Sequence, residues 1–364
     1  MLSSLRERLR PLLSEESVPP PEVLSALTRL LRLNRRLSGR DTVQAVRLLV
    51  AGTAPESMRL AFLREFSPAL ANGEMLAAAA AVLRELAPRI PYHAGLIFDC
   101  CGTGGDRLGL ANISTLAGIV VAAAGIPVAK HGNRAITSGC GSADLIEALG
   151  IPIEQGPVEA ARCLEEVGIA FLFAPLYHEA TRNVQPLRLK LREEGIPTLF
   201  NLLGPLSNPL SPSVQLVGVY HPRFLHPMAH ALALLDCERG CVVCGEAEEG
   251  SWMDELSLCG PTHVVELYEG RTSEKTLRPE EAGFTPVPLE ELKGGDVAYN
   301  TKLAQEVLEG IPSARLEAVC LNAGAGIHLA GKAETIGAGA GLAREIIRSG
   351  KAMELMEKWR RQAR

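Results

Sequence analysis

Apolar positions in the first ninety residues recur at helical spacing. Val23, Leu24, Leu27, Leu30 and Leu31 share one face, and 42–50 and 58–66 repeat the period. Residues 74–86 read as an alanine-rich helix closing at Pro88, and prolines 19 to 21 set an N-terminal helix apart. After Pro91 the pattern changes. Short apolar runs punctuated by glycine alternate with helical stretches; the runs are 95–98, 126–129, 169–173, 214–219, 240–243 and 318–321. That alternation predicts an α/β fold whose strand ends carry loops for ligands. Residues 116–124 and 143–149 read as helices between the runs.

One basic, amphipathic segment, 177–194, interrupts the alternation and is expected to pack with the N-terminal helices. The predicted division is then a helical domain, 1–90 with 177–197, and an α/β domain, 91–176 with 198–364. Pro205, Pro209 and Pro212 form a rigid connection, and 245–250 reads as an acidic loop. The stretch 301–364 reads as helices with a Gly/Ala-rich turn at 336–341.

Composition narrows the function classes. The 364 residues are 47% hydrophobic and 22% charged, enough for a sizeable core, but only 4% aromatic, so aliphatic residues must fill it. A net charge of −5 argues against a general binder of nucleic acid or anionic membrane, while leaving room for a local basic site. The nine cysteines form no disulfide framework and read as reduced thiols. The first ten residues carry no signal-type apolar core, and no segment has the ~20 charge-free apolar residues of a membrane span. A soluble, cytoplasmic protein is expected.

The chemistry concentrates between Asp99 and Ser142. Gly102-Thr-Gly-Gly-Asp106 puts three glycines into four residues after an apolar approach, so backbone N–H groups can come close to an anion. It is neither a Walker A motif nor G-x-G-x-x-G. Asn112, Ser114 and Thr115 open an apolar helix, where N–H groups and hydroxyls meet the positive end of the helix dipole. Lys130-His-Gly-Asn-Arg134 gathers two cations, an imidazole and an amide into one turn. Ser138 to Ser142 adds small residues and hydroxyls. Asp254-Glu255, in an apolar setting, offers a carboxylate pair for Mg²⁺ that also touches a pyrophosphate. Each has a plain alternative: a geometric turn, an N-cap, a solvated charge run, a surface acidic pair. Cys241-Val-Val-Cys244 lacks a second ligand pair and reads as a buried strand rather than a zinc site.

Together these motifs resemble the anthranilate phosphoribosyltransferases, a tryptophan-pathway family sharing its fold with pyrimidine nucleoside phosphorylases. The motifs at 102–106, 112–115, 130–134, 200–209 and 254–255, with Leu321-Asn322-Ala323, follow the family's order and approximate spacing over nearly the whole chain. The resemblance implies a small all-helical N-terminal domain and a large α/β domain with a mainly parallel central sheet flanked by helices. It implies transfer of the phosphoribosyl group of phosphoribosyl pyrophosphate to anthranilate. Gly102, Gly105, Asp106, Asn112, Ile113, Ser114, Thr115, Lys130, Ser138 and Ser142 would hold phosphoribosyl pyrophosphate. Gly102, His131, Asn133, His178 and Arg188 would line the anthranilate site. Ser114, Asp254 and Glu255 would hold two Mg²⁺ ions. Lys130, His131 and Asn133 would act by positioning rather than as acid or base, and a homodimer through the helical domain is implied.

The chain departs from the family pattern at Arg107 to Leu110, at Gly139-Cys140, at 66–74, at His178-Glu179 and in the spacing between Arg188 and Gly195. Leu110 stands where a hydroxyl commonly meets the phosphoribosyl substrate. Arg188 and Arg192 are both candidates for the acceptor carboxylate. Another aromatic amine, a nucleoside phosphorylase and a non-catalytic binding protein remain alternatives.

Overall fold

The computed structural model describes residues 18–93, 95–135, 139–248 and 250–363. Among the described residues four helices come first: α1 (Glu22–Arg32), α2 (Gly39–Ala51), α3 (Glu56–Glu65) and α4 (Gly73–Glu85). Ser38 and Asn72 start α2 and α4 by accepting from the backbone N–H of Asp41 and Met75. Strands and helices then alternate: β1 (Phe98–Gly102), α5 (Ile113–Ala123), β2 (Val128–Gly132), α6 (Ser142–Ala148), α7 (Pro157–Glu166) and β3 (Ile169–Phe173). After α8 (Ala174–Tyr177) and α9 (Gln185–Glu193) come β4 (Val214–Gly218), α10 (Leu225–Leu234), β5 (Arg239–Glu248), β6 (Ser251–Met253), β7 (Thr262–Tyr268) and β8 (Arg271–Leu277). The chain closes with α11 (Val297–Leu308), α12 (Ala314–Leu329), α13 (Ile336–Arg348) and α14 (Lys351–Gln362).

The strands form one sheet in the order β3-β2-β1-β4-β5-β7-β8, with β6 folded back on β5. From β3 to β5 all neighbours run parallel, and β7 and β8 continue antiparallel. The connection order reverses between β1 and β4. In an open parallel sheet this switch point leaves a crevice at the carboxyl ends of the two strands.

Side chains alternate across the sheet as period two requires. Val214 and Leu216 of β4, with Cys241 and Val243 of β5, join the core under α5, α7 and α12. Val217 and Val242 face a second core built from α1 to α4, α9 and α10. The α4 alanines let α10 come close: a β-carbon on Gly73 would lie 2.5 Å from the His230 ring. Among the described residues no helix is long and apolar enough to cross a membrane.

Four expectations need correction. The run 318–321 is no strand but the middle of α12, whose apolar face extends around the helix because it is buried on all sides. Residues 336–341 are not a turn; they open α13, and their glycines serve helix crossing. A β-carbon on Gly339 would sit 2.3 Å from the Gly324 carbonyl oxygen of α12. The acidic stretch from Gly245 to Glu248 continues β5 rather than forming a loop, because β6 and β7 pair with it. The segment 177–194 is broken into the end of α8, a 3-10 turn (Glu179–Asn183) and α9. Tyr177 belongs to the α5/α7 core, whereas Val184, Leu187 and Leu191 join the helical layer.

Candidate functional site

The crevice predicted by strand order is filled by the Asp254 loop. Gly102 and Gly218 are paired in register at the ends of β1 and β4. A β-carbon on Gly102 would lie 2.1 Å from Asp254 Oδ2, and one on Gly218 would lie 1.6 Å from the Asp254 carbonyl oxygen. No side chain fits at either place, so glycine here permits close approach. The Gly104 N–H donates to Asp254 Oδ2 at 2.7 Å, and Gly104 and Gly105 take φ of +66° and +92°. Thr103 ties this loop to the neighbouring strand end through its N–H to the Gly218 carbonyl at 2.9 Å. Asp106 closes the loop with a hydrogen bond to Asp254.

Glu255 turns the other way, onto the first turn of α5. The Ser114 N–H donates to Glu255 Oε1 at 3.1 Å, and the Ser114 hydroxyl bonds it too. A carboxylate thus sits where the helix dipole favours an anion. Asn322 of α12 holds the loop from behind: Leu256 N–H donates to its Oδ1 at 3.0 Å, and its Nδ2 donates to the Leu256 carbonyl at 3.1 Å.

The carboxylates keep part of their surface open to the cleft, yet surrounding protein penalises their charge. Burial, then the Asp254 charge, pushes Glu255 up to about 8. Burial also raises Asp254, and burial with the Asp254 charge raises Asp106. Crowded carboxylates with raised pKa values and a hydroxyl beside them form a hard-oxygen donor set suited to Mg²⁺. Among the described residues no group of three His, Cys, Asp or Glu is arranged to hold a metal. A cation here therefore draws remaining ligands from substrate or water. Cys241 and Cys244 face opposite cores and cannot share a zinc ion.

Lys130 lies buried below this cluster. Burial pulls its ammonium down, but the neighbouring Cys101, Cys100, Asp99 and Glu255 together hold it above its ordinary value. Asp99 and Asn208 carried no predicted role, yet they brace this floor. Asn208 Nδ2 donates to Asp99 Oδ2 at 2.9 Å and to the Ala129 carbonyl at 2.8 Å, and the His131 N–H donates to Asp99 Oδ1 at 3.3 Å. The only sequence signal for them was their position inside the motifs.

His131 follows Lys130 on β2 and points to the opposite face, toward the helical layer. Its Nδ1 lies 3.1 Å from the Gly204 carbonyl, which can only accept, so Nδ1 carries the proton and Nε2 is a bare, buried acceptor without a partner. The His178 ring stands edge-on to it, with centroids 5.2 Å apart. Neither His178 nitrogen makes a well-formed hydrogen bond, although the Leu83 and Ser207 carbonyls are near enough to favour its charged form slightly. Burial lowers His131 to about 3 and His178 to about 4. Both imidazoles are neutral at physiological pH.

That neutrality has a stability consequence. An unfolded histidine takes up a proton near its ordinary value of 6.5, which the folded one refuses until about 3 or 4. The contribution of each histidine is therefore full above pH 6.5 and falls below it by about 1.4 kcal/mol per pH unit, while Glu255 and Asp106, whose raised pKa values favour the folded state as pH falls, contribute with the opposite sign. Denaturant unfolding between pH 7 and 4.5 checks this: His178→Gln should gain stability relative to the wild type as pH falls, and a difference between the two that does not change with pH would refute the assignment.

Arg188 is half-buried and, among the described residues, has no acidic partner. Its Nη1 donates to Gln185 Oε1 at 3.2 Å, its guanidinium lies 5.5 Å from the Phe200 ring centroid, and its Nε is unpartnered. Burial lowers its pKa to about 10. Phe200 and Gly204 belong to one short segment, so Arg188 and His131 meet the same stretch of chain. Arg192 lies exposed on α9.

The remaining predicted residues divide. Gly105 is exposed at the cleft. Ile113 and Thr115 are buried in the first turn of α5. The Asn133 amide oxygen accepts from the Arg134 N–H at 2.8 Å. Ser142 Oγ binds the Asn133 backbone N–H and carbonyl, each at 3.2 Å, and so braces the basic turn. Arg134 pairs with Asp144 and Glu147 at 3.0 and 2.8 Å, which keeps that cation on the surface. Asn112 is tied to Cys140 and Asn300. Ser138 lies outside the described residues.

The chain resembles known proteins over most of its length. A family model described as the a/b domain of a glycosyl transferase family matches residues 94–353. The anthranilate phosphoribosyltransferase of Persephonella marina is 40% identical over 326 residues, 89% of this chain and 94% of the relative. The crystal structure of anthranilate phosphoribosyltransferase from Thermus thermophilus superimposes with a TM-score of 0.85 at 41% identity, covering 92% of this chain and 98% of that one. The Saccharomyces cerevisiae enzyme in complex with phosphoribosyl pyrophosphate and Mg superimposes with a TM-score of 0.81 at 26% identity, covering 96% and 99%. By sequence and by fold, this chain belongs to the anthranilate phosphoribosyltransferase family.

Proposed function

We propose that this chain transfers the phosphoribosyl group of phosphoribosyl pyrophosphate to the amine of anthranilate, giving N-(5-phosphoribosyl)anthranilate and pyrophosphate in tryptophan biosynthesis. The observation that carries the reading is the division of labour across the end of β2. Lys130 faces the carboxylates and the α5 N-terminus, while His131 faces His178 and the segment 200–204 that Arg188 also meets.

In the reaction negative charge collects on departing pyrophosphate and positive charge on the ribose ring. Lys130 and the N–H groups of the glycine loop and α5 stabilise the leaving group. Mg²⁺, held by Asp254, Glu255 and the Ser114 hydroxyl in a two-ion site, would add neutralising charge there. Arg188 pairs with the acceptor carboxylate and orients the amine, whose N–H can donate to the bare His131 Nε2. Neutral imidazoles add no positive charge of their own to that wall, where Arg84 also lies near both rings. An aromatic amine attacks as the neutral species, so positioning, with Asn133 framing the turn, replaces a strong general base.

The same reading assigns 1–90 with 177–197 to a helical domain that forms a homodimer, and the enzyme to the cytoplasm. Anthranilate fluorescence should fall only when phosphoribosyl pyrophosphate and Mg²⁺ are both present. No loss at high enzyme concentration sinks the reading, and turnover of nucleoside with phosphate instead would replace it by a phosphorylase.

A further inference from the structure

Two of the segments read as departures from the family pattern, 107–110 and 139–140, are held by one strap, the stretch Leu292 to Asn300. Leu110 bridges to Lys293, the Ala111 N–H donates to the Leu292 carbonyl at 3.0 Å, and the Gly294 N–H donates to the Gly109 carbonyl at 2.8 Å. Asn300, in the first turns of α11, is buried and polar. Its side chain runs a directed relay. The Gly295 N–H donates to Asn300 Oδ1 at 2.7 Å, Asn300 Nδ2 donates to Asn112 Oδ1 at 3.0 Å, and Asn112 Nδ2 donates to the Cys140 carbonyl at 3.1 Å.

Both ends of this relay are backbone groups. A backbone N–H cannot accept and a carbonyl cannot donate, so the orientation of both amides is dictated. Asn112 sits at the N-cap position of α5 yet makes no side-chain capping bond. Its amide is turned sideways, leaving one Nδ2 hydrogen and one oxygen lone pair beyond the relay. Gly294 makes room: a β-carbon there would meet Asn300 Oδ1 at 2.6 Å.

We infer that Asn300 is a positioning residue for the phosphoribosyl half of the site: through Asn112 it sets which way that amide faces and locks the α5 N-terminus to the Cys140 loop. The inference rests on the function proposed above. Asn300 is buried, and it acts through Asn112.

Asn300→Ala should raise the KM for phosphoribosyl pyrophosphate about tenfold while the KM for anthranilate moves less than about twofold. Asn300→Asp, close to isosteric, should be worse, because a carboxylate cannot donate to Asn112 and forces it to flip against the Cys140 carbonyl. In an Asn112→Ala background the Asn300→Ala effect should shrink to less than about twofold, the mark of residues acting through one another. Calorimetric binding of phosphoribosyl pyrophosphate with Mg²⁺, without acceptor, reads the same change independently of turnover. Equal rises in both KM values, a loss confined to kcat, or additive effects in the double variant would overturn the role. If Asn300→Ala does not fold, Asn300→Asp alone decides it by the same KM split. If the wild type neither turns over nor binds phosphoribosyl pyrophosphate, the functional reading fails and the inference with it. If the wild type does both and the variants match it, only the positioning role falls.

Discussion

Asp254→Asn and Glu255→Gln should each lower kcat by at least about a hundredfold, the scale expected when charge aimed at a leaving group is removed. Both changes keep the shape of the side chain. An asparagine oxygen can still accept from the Gly104 N–H, and a glutamine oxygen can still accept from the Ser114 N–H, so the loops keep their anchors. What disappears is negative charge in a cluster whose carboxylates already resist ionisation because of burial and one another. The melting temperature without metal should therefore hold or rise while activity falls, separating a metal role from a structural one. Titrating activity against Mg²⁺ completes the test. If Asp254→Ala combined with Glu255→Ala leaves both activity and its Mg²⁺ dependence intact, these residues do not hold the ion.

Arg188→Met should raise the KM for anthranilate about a hundredfold, the scale for removing one partner of a desolvated charge pair, with the KM for phosphoribosyl pyrophosphate unchanged. The guanidinium is half-buried on the Phe200 ring, with Gln185 as its hydrogen-bond acceptor and, among the described residues, no acid beside it. A cation in such a place is under-compensated until an anion arrives. Methionine keeps the unbranched apolar stem against Phe200 and removes the charge, so folding should survive. Arg192→Met is the control: that residue lies on the exposed side of α9 and should change the anthranilate KM less than about twofold. Equal effects of the two substitutions would mean that the acceptor carboxylate is read elsewhere.

Much of the architecture was legible because its periods are local. The helical face of Val23, Leu24, Leu27, Leu30 and Leu31 and the apolar runs of β3, β4 and β5 are properties of neighbouring residues. The reading failed where burial erased the period. Residues 318–321 look like a strand because α12 is apolar on every side, and 336–341 look like a turn because α13 needs glycine to meet Gly324. For the site, glycine density and charge marked the phosphate loop and the carboxylate pair. Asp99, Asn208 and Asn300 gave no such signal, since a buried polar side chain is distinguished only by partners far away in the chain.

The sequence by itself determined which segments become helices and strands, and which residue types are present for anion, metal and aromatic chemistry. Only the tertiary structure decided that β1 and β4 lie side by side, so that two glycines open a crevice for Asp254. It also decided that consecutive residues of β2 serve opposite half-sites, and that the glycines of 336–341 join two helices. The reason is that periodicity is encoded in steps of two to four residues, whereas a site is made by contacts across a hundred or more, such as the 150 residues between Gly104 and Asp254.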